Sequence, residues 1–188
     1  MKIILASTSP RRKELLNKTG LVFETKESGY DEEMHLQMSP EELSEHLSFN
    51  KAKAVFENNK DAIVIAADTF IVFNGKYIGK PKTKEEARDM LKMLSGQEHE
   101  IITGVTVMSS NKTVSFNSKA KVYMKKLSSE IIDNYIKTGE PMDKAGAYAI
   151  QEKGAVLIEK IDGDFFGAVG LPIGRLSEEL KSFGINVL

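Results

Sequence analysis

The chain has 188 residues, 41% hydrophobic and 28% charged, which supplies a packed core and excludes a disordered polypeptide. Lysine and arginine (26) nearly balance aspartate and glutamate (27), leaving a formal charge of −1 and no bulk electrostatic reason to coat a nucleic-acid polymer or an anionic membrane. The absence of cysteine excludes disulfides, thiolate catalysis and cysteine zinc sites, and no apolar run nears the roughly 20 residues that span a bilayer.

Lys2 to Ala6 reads as a short buried strand running straight into a motif, with no signal-peptide core, so a cytoplasmic protein is expected. Ser9 and Pro10 then suit the N-cap and first position of a helix that stops at Gly20. Ser39, Pro40 and Glu42 form a capping-box pattern for a second helix reaching about Asn58. Ala62 to Ala67 is an unbroken apolar run, as in a strand covered on both faces. Asp68-Thr69 follows at its end, more strand continues to Phe73, and Asn74-Gly75 turns the chain back through Tyr77 and Ile78.

Thr83 and Glu86 predict another capping box, for a helix ending before Gly96. Strands follow at Glu100–Met108 and Thr113–Met124, then a helix over about Ser129–Thr138. Ala155–Ile161 and Phe165–Val169 read as strands joined at Asp162-Gly163-Asp164, and a last helix runs from Pro172 to about Phe183. Helices and hairpins in this mixture predict an α/β fold with a mixed sheet, as one large domain or two small lobes.

Five constellations could carry chemistry. In Ser7-Thr8-Ser9-Pro10-Arg11-Arg12, two arginines occupy a helix start, where the dipole already favours anions. Backbone N–H groups, hydroxyls and guanidinium forks there make a phosphate cradle; a solvated basic turn is the bland alternative. Lys51 shares the inward stripe of Leu43, Leu47, Ala54 and Asn58, so it either snorkels or reaches a ligand. Asp68, at a strand end, could hold a metal, activate water or simply brace a turn. Glu32 in Asp31-Glu32-Glu33 is a second candidate metal carboxylate within a run that could be merely solvated.

Gly79-Lys80-Pro81 sets a lysine beside a rigid turn. The segment Met142 to Gln151 combines small residues, which let a backbone approach a ligand or simply pack tightly, with an amide able to read a base edge. His35, His46 and His99 show no metal-ligand spacing.

Taken together, these segments resemble the Maf family of nucleotide pyrophosphatases. The likeness runs through Leu5-Ala6-Ser7-Thr8-Ser9-Pro10-Arg11-Arg12, Asn50-Lys51-Ala52, Ala67-Asp68-Thr69 and Gly79-Lys80-Pro81. It continues through Leu94-Ser95-Gly96, Ile102-Thr103-Gly104, Gly139-Glu140-Pro141, Asp143 to Tyr148, Ile150-Gln151 and Gly170-Leu171-Pro172. The resemblance implies an elongated α/β fold like that of the inosine-triphosphate pyrophosphatases, with two lobes around a cleft. It also implies a homodimer and divalent-metal-dependent hydrolysis, with Mg²⁺ or Mn²⁺, between the α- and β-phosphates of a nucleoside triphosphate.

By matching position, Asp68 resembles the catalytic carboxylate and, with Glu32, the metal ligands. Ser7, Arg12, Lys51 and Lys80 resemble phosphate contacts, and Arg11, Thr69 and Gln151 the positions that set substrate preference. That trio resembles the branch acting on dTTP and UTP, in nucleotide-pool house-cleaning, more than the branch acting on 7-methylguanosine triphosphate. A nucleotide-binding regulator of septum formation is the alternative from another class.

Overall fold

The computed structural model describes residues 2–31 and 36–187. In chain order they form β1 (Lys2–Leu5), α1 (Pro10–Asn17), β2 (Glu24–Thr25), α2 (Pro40–Phe56), β3 (Ala62–Phe73), β4 (Lys76–Ile78) and α3 (Lys84–Leu94). There follow β5 (Glu98–Met108), β6 (Thr113–Met124), α4 (Ser129–Lys137), β7 (Ile158–Gly163), α5 (Phe165–Val169) and α6 (Ile173–Lys181). Among the described residues seven strands make one sheet in the order β2-β1-β3-β5-β6-β7, with β4 also on β3. β1 pairs parallel with β2 and β3, while β3–β4 and β6–β7 are antiparallel, so the sheet is mixed as expected. No helix among the described residues is long and apolar enough to cross a membrane.

The chain divides into two compact units. The first comprises Met1–Thr69, Ile102–Ser118 and Phe166–Leu188. Its second helix begins as its sequence dictates: Ser39 Oγ accepts from Glu42 N, and the Glu42 carboxylate accepts from Ser39 N at 2.9 Å, closing the box ahead of Pro40. α2 buries Leu43, Ser44, Leu47, Ser48, Lys51, Ala52 and Val55. Ala54 is half-buried, because at 3.6 residues per turn the stripe has rotated onto Ala52 and Val55 by the last turns, and Asn58 is exposed past the end of the helix.

The approach of α2 to the sheet is set by small residues. A Cβ on Gly104 of β5 would lie 2.1 Å from the Ser44 carbonyl, so glycine alone admits the helix there. Beside it, Ser48 Oγ meets Thr106 Oγ1 at 2.8 Å. Ile4, Ala6, Ala62, Val64 and Ala66 then pack against Ala52, Val55 and Phe56. Side chains two apart on a strand share a face, so Asp68 continues the row Ala62, Val64, Ala66 towards α2, and Thr69 turns to the other face.

The second unit comprises Phe70–Ile101 and Lys119–Phe165. Asn74 (φ 50°) and Gly75 (φ 74°) both adopt the left-handed conformation that a tight hairpin needs, and pair Ile71 with Ile78. Thr83 caps α3 through Glu86 N at 3.1 Å. The Glu86 carboxylate takes Lys82 N instead of returning to Thr83, so this box stays half closed. Gly146 explains part of the small-residue segment: a Cβ there would sit 2.7 Å from Ile71 Cδ1, so the glycine serves core packing.

Two expected strands are different elements. Phe165–Val169 is a short helix, closed by Gly170 N and Leu171 N donating to the Phe166 carbonyl. Ala155–Leu157 belongs to a 3-10 turn over Lys153–Leu157, and the strand begins only at Ile158. Short apolar runs carry no period long enough to separate strand from helix, and here neighbouring chain decides.

Candidate active site

Within the first unit, β1 pairs with β3 only as far as Leu5–Ile65. Chain leaving β1 at Ser7 and chain continuing along β3 at Asp68 and Thr69 therefore both lie past the last parallel pair. Ligands of open α/β sheets gather at this carboxyl end. Asp68 itself lies inside a continuous twelve-residue strand, not at its end as expected; the parallel pairing is what ends there.

Arg12, in the first turn of α1, organises one face. Its Nε donates to the Gly170 carbonyl at 3.1 Å, Nη2 to Thr69 Oγ1 at 3.1 Å, and Nη1 reaches Ser7 Oγ at 3.5 Å. Ser7 also accepts from Ser9 N at 3.1 Å. Ser9 has the extended backbone of an N-cap but makes no side-chain cap bond, so Ser7 supplies the hydroxyl that turns the chain into α1. No acidic residue occupies that first turn, which leaves the helix start electropositive.

Thr103 of β5 extends the arrangement. Its single hydroxyl proton goes to the Gly167 carbonyl at 2.8 Å, so across the 2.8 Å contact between Thr69 Oγ1 and Thr103 Oγ1 it is Thr69 that donates. Thr69 in turn accepts from Arg12. Proton direction is thus settled along the row Arg12, Thr69, Thr103, Gly167, and the guanidinium plane is fixed by it. Sequence reading singled out Arg12 and Thr69 but missed Thr103. The one signal in the sequence was a polar residue following Ile101 and Ile102; that it is fully buried is seen only in the fold.

On the other face of β3, Lys51 Nζ donates to Asp68 Oδ1 in a short contact. The two residues are only 8% and 6% exposed. Pairs this buried gain little net stability over apolar residues of equal volume, because both ions lose their hydration. The pair therefore reads as chemistry held ready. Lys51 does not snorkel; its ammonium ends buried against the Asp68 carboxylate.

The remaining candidates are placed as follows. Arg11 is half-buried beside Arg12 on α1. Lys80 and Gln151 are exposed residues of the second unit. Glu32 lies outside the described residues. Among the described residues no three histidine, aspartate or glutamate side chains are grouped to share a metal ion. His46 bonds to Asn50 Nδ2, and His99 Nε2 meets Tyr148 Oη at 2.5 Å. Burial lowers the His99 pKa to about 4 and pushes the Tyr148 phenol up.

A family model described as Maf-like protein matches residues 2–183. The dTTP/UTP pyrophosphatase of Bacillus anthracis is 47% identical over 186 residues, covering 99% of this chain and 97% of the relative. A Bacillus cereus protein of the same name matches to the same extent. Among solved structures, the Staphylococcus aureus Ham1 protein superposes with a TM-score of 0.56 at 14% identity, over 97% of this chain and 100% of that one, a likeness of fold. By sequence along nearly its whole length, this chain belongs to the Maf-like protein family.

Proposed function

We propose that the chain hydrolyses dTTP and UTP to the nucleoside monophosphate and pyrophosphate. The observation that carries the reading is the buried Lys51–Asp68 pair one residue from the Arg12–Thr69 contact, at the carboxyl end of the parallel strands. Near-complete alignment with relatives named dTTP/UTP pyrophosphatase supports the substrate class.

In this reading, Arg12, Ser7 and Lys51 bind the triphosphate. A planar guanidinium offers two parallel N–H donors to phosphate oxygens, and the ammonium adds a compact charge. Both are preorganised, Arg12 by Thr69 and Gly170 and Lys51 by Asp68, so little reorganisation accompanies charge development. Water attacks the α-phosphorus, the bond from the α-phosphorus to the bridging oxygen breaks, and pyrophosphate departs with that oxygen. Asp68 accepts the proton of the attacking water, or would hold a divalent cation beside it.

A divalent cation such as Mg²⁺ or Mn²⁺ belongs to the proposal. Its donor set would be the Asp68 carboxylate with substrate phosphate oxygens, the mode in which Mg²⁺ is commonly bound, and Glu32 is the further carboxylate assigned by resemblance. When bound, the cation supplies neutralisation of the phosphates and a lowered pKa for coordinated water. Lys80 is assigned to phosphate, and Arg11 and Gln151 to substrate choice; Thr69, which the resemblance sets beside that pair, is read here as the support of Arg12, whose Nη2 it receives.

The test is pyrophosphate release from dTTP, UTP, CTP and methylated GTP, with Mg²⁺, Mn²⁺ or excess chelator. dTTP and UTP should be consumed fastest, with pyrophosphate as first product and only when the cation is present. Orthophosphate as first product, full activity in chelator, or preference for methylated GTP would overturn the reading.

A further inference from the structure

Gln151 is exposed, yet the chain on both sides of it is tied down within the second unit. On the entering side, Ala149 N donates to Tyr135 Oη at 3.2 Å. On the leaving side, Gly154 N donates to Glu140 Oε1 at 2.8 Å and Lys153 N to Glu140 Oε2 at 3.0 Å. Tyr135 Oη in turn donates to Glu140 Oε1 at 2.8 Å, joining the two anchors. Burial and the neighbouring carboxylate push the Tyr135 phenol pKa up, so the hydroxyl keeps the proton this bond requires.

The base of the loop is also closed sterically. A Cβ on Gly154 would lie 2.5 Å from the Ala149 carbonyl oxygen and 2.6 Å from Tyr135 Oη. Between these anchors only Ile150, Gln151 and Glu152 project; Ile150 is buried, and Glu152 extends towards Lys144 Nζ at 3.8 Å. Glu140 is itself held. It follows Gly139, left-handed at φ 78° after α4, its N–H donates to Thr138 Oγ1 at 3.2 Å, and Pro141 stiffens the turn behind it.

Exposed loops are ordinarily mobile, and ordering one costs conformational entropy. Four hydrogen bonds and a glycine contact here hold the backbone around one free amide side chain. We propose that Tyr135 and Glu140 are positioning residues for base selection, fixing the loop from which Gln151 presents its amide. The inference rests on the reading of Gln151 as a contact that chooses the base. Preorganisation is what makes such a contact discriminate: a mobile amide adapts to the wrong base, whereas a fixed one leaves it unpaired.

The experiment measures kcat/KM for dTTP and for CTP in wild type, Tyr135→Phe, Glu140→Gln, Gln151→Ala and the double variant Tyr135→Phe/Gln151→Ala. Tyr135→Phe removes the hydroxyl and keeps the ring; Glu140→Gln keeps one acceptor but sets an NH₂ against one of the loop N–H groups. Each should lower the dTTP:CTP ratio about 3- to 10-fold, the effect of one lost hydrogen bond, chiefly by slowing dTTP. In the Gln151→Ala background, Tyr135→Phe should lower the ratio no further, the non-additivity expected of residues acting through one contact.

Amide hydrogen exchange at Lys153 and Gly154 should quicken in Glu140→Gln, reporting the loosened loop directly. A ratio lowered by Gln151→Ala but untouched by Tyr135→Phe and Glu140→Gln would overturn this inference and leave the role of Gln151 standing. Equal slowing of both nucleotides, with or without Gln151, would assign the two residues to folding alone. A ratio unmoved by Gln151→Ala would remove the underlying reading and this inference with it.

Discussion

The buried His99 makes the stability of the second unit depend on pH in a way that can be calculated beforehand. Its imidazole is 3% exposed, its Nε2 faces Tyr148 Oη, and its Nδ1 has no hydrogen-bond partner. Burial disfavours the imidazolium and lowers the pKa from 6.5 to about 4. Because the folded-state pKa is depressed, the unfolded chain binds the proton that the folded chain refuses between these two values. Stability therefore falls as pH drops through that window, and the His99 slope fades within about one pH unit above it. Integrating the two titrations gives a loss of about 2 kcal/mol between pH 7 and pH 5.

The assay is denaturant unfolding at pH 7, 6 and 5, comparing wild type with His99→Gln, which can still reach Tyr148 but does not titrate. Other groups contribute equally to both proteins, so the difference between the two slopes isolates His99. Wild type should lose about 2 kcal/mol more than the variant over this range, most of it below pH 6. Identical losses in the two proteins would show that His99 gains its proton in place, and that the pocket around it admits water or opens.

Two further outcomes concern the first unit. Asp68→Asn keeps a carbonyl oxygen for Lys51 but removes the charge, and should lower turnover by at least ~10²-fold without loss of fold by circular dichroism. Near-normal kcat in that variant would move catalysis away from β3. Thr103→Val removes the acceptor that orients Thr69, loosening Arg12; kcat/KM should fall about 3- to 10-fold for every triphosphate with the dTTP:CTP ratio unchanged. A changed ratio would place Thr103 in base selection instead.

Local chemistry was enough to read much of this molecule from its residues. The capping box at Ser39 and Glu42, the left-handed pair Asn74-Gly75 and the uninterrupted apolar run into β3 are each decided within a few neighbouring residues, so they are legible in order along the chain. Ser7, Arg12, Lys51 and Asp68 stood out for a related reason, each beside a bland alternative that the residues left open, and Thr69 entered through the resemblance. Charged or polar groups set at a helix start, on an inward stripe and after a buried strand are costly unless used.

What the residues alone did not determine are the relations between distant segments. Phe165–Val169 is as apolar as a strand, yet it is a helix that presents the Gly167 carbonyl to Thr103 and, just past its end, the Gly170 carbonyl to Arg12. Thr103 and Glu140 stood inside the family-like segments without a role of their own, because a hydroxyl or carboxylate shows its purpose only through its partners. Those partners are 64 residues away for Thr103 and Gly167, and 14 for Glu140 and Gly154. Hydrogen bonds act over about 3 Å of space whatever the separation along the chain, so the wiring of Arg12 and the clamp beneath Gln151 exist only once the sheet and helices have brought those segments together.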